Sequence, residues 1–114
     1  MLNRRFGVDM TTLEDREKGF ERKFAADQEL EFRAQSRGNR MLGEWAAKKL
    51  GLDNVEDYVR AVLRSELSGG GEDDVLRKVI QDFAGAGVHV RETEVRTKAE
   101  EFLAIAREQM KAGG

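Results

Sequence analysis

Few side chains in this sequence could do chemistry: one histidine, three serines and a set of regularly spaced arginines. Nucleophilic catalysis by Ser36, Ser65 or Ser68 would need a positioned base and a third group to orient it. These serines have no plausible base, since His89, the single imidazole, cannot serve all those roles. A carboxylate-bridged di-metal centre in a helical protein needs Glu-x-x-His on facing helices, and Ala86 stands three residues before His89. His89 therefore reads as an imidazole on a surface loop. The absence of Cys removes disulfides, thiolate zinc sites and cysteine nucleophiles together. Gly69-Gly70-Gly71 lacks the Lys and Ser/Thr of a phosphate-binding loop and runs into acids, so it reads as a linker. No catalytic residue and no metal ligand is assigned.

The arginines are the better candidates. Arg33, Arg37 and Arg40 recur at spacings of four and three, which puts them on one helix face, with Lys48 and Lys49 further along. Such a face could take a phosphate-rich ligand, a nucleotide or RNA. The plainer reading, a solvated face paired with Glu29 and Glu31, is the stronger. Trp45 shares the packing face of Leu42 and reads as a core anchor rather than a stacking platform.

The chain of 114 residues is enough for one domain and a real core. Charged residues make up 37%, yet Lys+Arg 20 nearly balance Asp+Glu 22, and a net charge of -2 gives no bulk attraction to nucleic acid or membrane. No run of eighteen apolar residues exists, which excludes a transmembrane helix. Arg4 and Arg5 are followed by no apolar stretch, so the N-terminus is not read as a secretory signal. The expectation is a soluble, intracellular, mostly helical domain, and composition argues against an enzyme.

Four helical segments must position these groups. The first spans about Thr12 to Leu50, with a break near Gly38-Asn39 as one option. The second opens at Asp53, a cap residue with Glu56 three positions on. It carries Val55, Tyr58, Val59, Val62, Leu63 and Leu67 on one face. Ser68-Gly69-Gly70-Gly71 ends it as a flexible link. The third begins at Glu72-Asp73-Asp74, acids suited to the positive end of a helix dipole. It carries Val75, Leu76, Val79, Ile80 and Phe83 and stops at Gly85 or Gly87. After an extended Val88-His89-Val90, the fourth covers about Glu92 to Lys111, with Val95, Ala99, Phe102, Leu103, Ala106 and Met110 inward. The fold class is all-α: a four-helix bundle with a long N-terminal helix whose first part is frayed or disordered when free.

That first part differs from the rest. At 100° per residue, Leu13, Phe20 and Phe24 fall within about 40° of one another. Charge surrounds them, and from Met10 to Arg40 seven acids balance seven bases. Leu30 and Phe32 drift to opposite sides, and a broad apolar face returns only with Met41, Leu42, Trp45, Ala46 and Leu50. An isolated helix of about fifteen residues is marginal in water, and Gly19 costs roughly 1 kcal/mol relative to Ala. Residues 1 to about 18 are thus expected to become helical only when a partner groove takes the seam. The division is a flexible inhibitory or docking segment, 1–24, and a helical bundle domain, 25–114.

The run from Met10 through Leu13-Glu14-Asp15-Arg16-Glu17-Lys18 to Phe24-Ala25 resembles the start of the zeta subunit of alphaproteobacterial F-type ATP synthases, an ATPase inhibitor. Asn39-Arg40-Met41-Leu42-Gly43-Glu44-Trp45-Ala46-Ala47, Asp73-Asp74-Val75-Leu76-Arg77-Lys78-Val79 and Ala86-Gly87-Val88-His89-Val90 carry the likeness on, in order, to Met110. Several ordered motifs are far more specific than one short pattern. Met1 to Asp9 extends ahead of the usual family start, Gly19 stands where a better helix former is expected, and Arg91 occupies a cap position that suits a shorter side chain.

The resemblance implies a small helical bundle that binds the catalytic head of the synthase, its alpha, beta and gamma subunits, and restrains ATP hydrolysis. It implies that the N-terminal segment is disordered when free and helical beside the rotating shaft, blocking a catalytic interface. The matching residues here are Met10, Thr12, Leu13, Arg16, Phe20, Lys23 and Phe24. Leu13, Phe20 and Phe24 would be apolar anchors, and Arg16 and Lys23 would pair with acids. No cofactor is required, and no nucleic acid or direct membrane insertion is expected. The protein would be monomeric when free, cytoplasmic, and peripheral to the inner membrane through the synthase. The alternative is an adenine-nucleotide-sensing or assembly module without strong inhibition, binding ATP or ADP weakly at Arg33, Arg37 and Arg40.

Overall fold

The computed structural model describes the backbone of residues 2–113, and the side chains from residue 22 onward except Phe24 and Gly114. It has four helices in order: α1 (Leu2–Leu50), α2 (Val55–Glu66), α3 (Glu72–Gly85) and α4 (Glu92–Lys111). No strand occurs among the described residues. The fold is all-α, as the periodicities indicate. The expectation that the first part of α1 is frayed or disordered when free falls on residues whose side chains lie outside those described.

The chain divides into two units, Met1–Phe32 and Arg33–Gly114. In the second, Leu42 and Ala46 of α1, Val62 of α2, Val75, Leu76, Val79 and Phe83 of α3 and Val95 of α4 form one buried cluster. Trp45, Tyr58, Ile80, Ala99 and Phe102 pack around it, with Val88 and Val90 from the α3–α4 connection. Trp45 meets Phe83 edge to face, ring centroids 5.6 Å apart at 81°, the geometry that aromatic quadrupoles favour. It is the core anchor expected.

The helix ends follow local chemistry. Gly51 and Gly87 both have positive φ, 71° and 70°. After each, the chain folds back, Leu52 N–H donating to Ala47 O at 3.0 Å and Val88 N–H to Phe83 O at 2.9 Å. This is the glycine-terminated helix end that satisfies orphan carbonyls, and it fixes Gly87 rather than Gly85 as the terminator of α3. At the start of α4, Arg91 offers no side-chain cap.

Three expectations are corrected. α1 does not break at Gly38-Asn39. A Cβ on Gly38 would lie 3.2 Å from Leu103 Cα and 3.3 Å from Leu103 N, so this glycine marks a close crossing of α1 and α4, not a break. The cap of α2 is Asn54 rather than Asp53: its side chain accepts from Asp57 N–H at 3.1 Å and donates to Asp57 Oδ2 at 2.8 Å. An aspartate could not make that second bond. Leu67, placed on the α2 core face by its spacing, is the C-cap and 75% exposed, because the helix ends before its side chain can turn inward.

Candidate functional site

Most residues expected to dock lie on the part of α1 within Met1–Phe32. Met10, Thr12, Leu13, Arg16, Phe20 and Phe24 belong to α1 by backbone, and their side chains lie outside those described. Lys23 is exposed, as are Arg22, Ala25 and Ala26. Further along the same unit, Leu30 and Phe32 are 46% and 56% exposed. Among the described residues, none of this unit belongs to the buried core, whose first member is Ala34.

The arginine face diverges. Arg37 Nη1 donates to Gln109 Oε1 of α4 at 3.3 Å, whereas Arg40 Nη1 pairs with Glu56 Oε1 of α2 at 3.3 Å. Arg33 is exposed, and it, Glu29 and Glu31 all have interaction partners. Two of the three cations thus reach two different neighbours of α1, α4 and α2. Both contacts are exposed, so each contributes at most about 1 kcal/mol. Lys49 sits 5.5 Å from the centre of the Trp45 ring and 3.3 Å from Glu94 Oε2. Met41, Glu44, Trp45, Lys48 and Phe102 line a groove of about 310 Å³ beside it.

The serines have structural partners. Ser36 Oγ donates to the Glu66 carboxylate, with oxygens at 2.9 and 3.0 Å, and Asn39 Nδ2 donates to Glu66 Oε1 at 2.9 Å. One part-buried carboxylate at the end of α2 therefore clamps two successive turns of α1. Ser65 Oγ donates to Val62 O at 2.6 Å. Ser68 Oγ donates to Asp74 Oδ2 at 2.6 Å, and Gly70 N–H donates to the same oxygen at 3.0 Å.

These bonds, with the Ser68 hydroxyl foremost, hold the Asp74 carboxyl below its ordinary range. They also fold the glycine run over α3, and a Cβ on Gly70 would collide with the Asp74 carboxylate. The link read as flexible is a tied turn. Across α2 and α3, Tyr58 donates to Asp82 Oδ2 at 2.8 Å, and Lys78 reaches that oxygen at 3.1 Å. Burial foremost, then the bond to Asp82, pushes the Tyr58 phenol well up.

His89 is exposed in the connection between α3 and α4. Among the described residues no group of three or more His, Cys, Asp or Glu is arranged to hold a metal ion. No helix among them is long and apolar enough to cross a membrane.

The Glu66 clamp was missed in the sequence because neither Ser36 nor Asn39 stands near Glu66 along the chain. The Gly38 crossing had a signal. Ala34, Gly38 and Leu42 recur at four-residue spacing, and a small residue inside a core-facing stripe marks close approach of a neighbour.

A family model described as ATPase inhibitor subunit zeta matches residues 10–109, reaching across both units. No curated protein matches the chain.

Proposed function

Since the chain belongs to the ATPase inhibitor subunit zeta family, we propose that it is a regulatory, non-catalytic protein that binds the catalytic head of an F-type ATP synthase and inhibits ATP hydrolysis. The observation that carries this reading is the span of the family match, which takes in the charged segment from Met10 as well as the bundle. Contrast in packing supports it. The described core draws on residues from Ala34 onward while Leu30 and Phe32 stay exposed, and we assign the seam of Leu13, Phe20 and Phe24 to a partner.

Segment 1–24 would be the docking element and 25–114 the body that carries it. Leu13, Phe20 and Phe24 insert as apolar anchors, Met10 and Thr12 lie against the same wall, and Arg16 and Lys23 pair with acids on the alpha, beta or gamma subunits. The mechanism is steric. A helix lodged at a catalytic interface blocks the closure that completes the site for hydrolysis. The protein's place at the membrane is then peripheral, through the synthase.

Replacing both Phe20→Ala and Phe24→Ala tests the reading. Inhibition of the cognate head is expected to weaken by at least about a hundredfold, roughly tenfold for each truncated anchor, while the bundle's melting curve stays put. Loss of the fold would show that the seam is core and overturn the assignment.

A further inference from the structure

Leu30 and Phe32 are two large apolar side chains in a run that is otherwise charged, polar or alanine from Ala25 to Arg33. They are 46% and 56% exposed. Either one alone would be unremarkable, since exposed apolar residues are common. Their arrangement is the informative part. At 100° per residue they point about 160° apart around α1. Two directions so far apart cannot be covered by a single wall.

A helix laid in one groove buries a stripe somewhat over 100° wide. Such a groove could take the seam, or one of the two later residues, but not both of those. Covering both requires walls on opposite sides of the helix. We propose that Leu30 and Phe32 are a second pair of anchors, held from opposite sides by two different protein chains of the head at a subunit interface, so that the bound helix is gripped through Phe32 rather than released after Phe24. This rests on the inhibitor reading above and sharpens it. The occupant is a cleft between two protein surfaces, each with an apolar pocket and a charged rim. Continuity with the docking segment selects this cleft, because both residues follow Phe24 on the same helix and within the same unit.

A photoreactive benzoylphenylalanine replacing Leu30, Phe32 or Phe20, one position at a time in the full chain, tests the proposal against the intact cognate head. The probes at 30 and 32 are expected to cross-link to two different subunits. In parallel, Leu30→Ala and Phe32→Ala should each raise the half-inhibitory concentration about tenfold without moving the melting curve. Cross-links from 20 but none from 30 and 32, or both of these to one subunit, would overturn the two-sided grip while leaving the inhibitor reading intact. A full chain that neither binds nor inhibits would overturn both.

Discussion

Between Arg33 and Gly114 the molecule buries its own apolar stripe, whereas Leu30 and Phe32, at the end of the preceding unit, stay exposed. The later region places Leu42, Val59, Val62, Val75, Val79 and Val95 fully out of water and ties its helices with the Glu66 clamp and the Tyr58–Asp82 bond. The earlier region is as helical in backbone, yet its described apolar side chains, Leu30 and Phe32, face solvent. Both regions are rich in charge, so charge content does not separate them. Width of the apolar stripe does. A helix with a broad stripe is held by tertiary packing, and one with a narrow seam stays marginal until something else supplies the other side.

The largest way to press on that contrast is Phe83→Ala. Phe83 is 2% exposed and packs against Trp45, so its truncation should cost about 3–5 kcal/mol, read by urea or thermal unfolding. A change below about 1 kcal/mol would mean that the bundle core is not where its stability lies.

Next is Gly38→Val. Alanine would gain about 1 kcal/mol of helix propensity over glycine, but a Cβ meets the backbone of Leu103 at 3.2 Å, and backbone cannot swing aside. With valine's extra methyls the steric term should win, for a net loss of about 1–3 kcal/mol. A stabilised variant would show that α1 and α4 do not cross so closely. Gly19→Ala, in the other region, should leave the melting curve unchanged while favouring the bound helix.

The smallest effect is on acid stability. A carboxyl whose folded value lies below its unfolded one stabilises the fold above the ordinary carboxyl range, and that contribution disappears as pH falls through the folded value. Asp74 is such a group. Asp74→Asn should therefore flatten the decline of stability below about pH 4, seen by comparing acid titrations followed by circular dichroism. An unchanged acid limb would mean that the glycine turn is not fastened by this carboxylate.

Much of this was legible in the sequence. The three shorter helices announced themselves through three-and-four spacing and through the glycines that end or separate them. The Leu13–Phe24 seam is a reading from spacing alone, and its side chains lie outside those described. Legibility failed where two local rules competed or where a partner lay far along the chain. Gly38 carries the signal of a weak helix former and also that of a close crossing, and only the neighbour Leu103 decides between them. Asp53 and Asn54 are both good caps, and the choice turned on the extra donor of Asn54. The glycine run looked loose because Asp74, which fastens it, also looked like an ordinary first-turn acid.

We propose that the segment carrying the seam, rather than the bundle, is the part that inhibits. The most direct test is ATP hydrolysis by the isolated catalytic head of the cognate synthase, with the full chain and with a chain beginning at Ala25. Inhibition by the first and its loss in the second is the predicted result. Equal inhibition by both would contradict the account and move the function into the bundle.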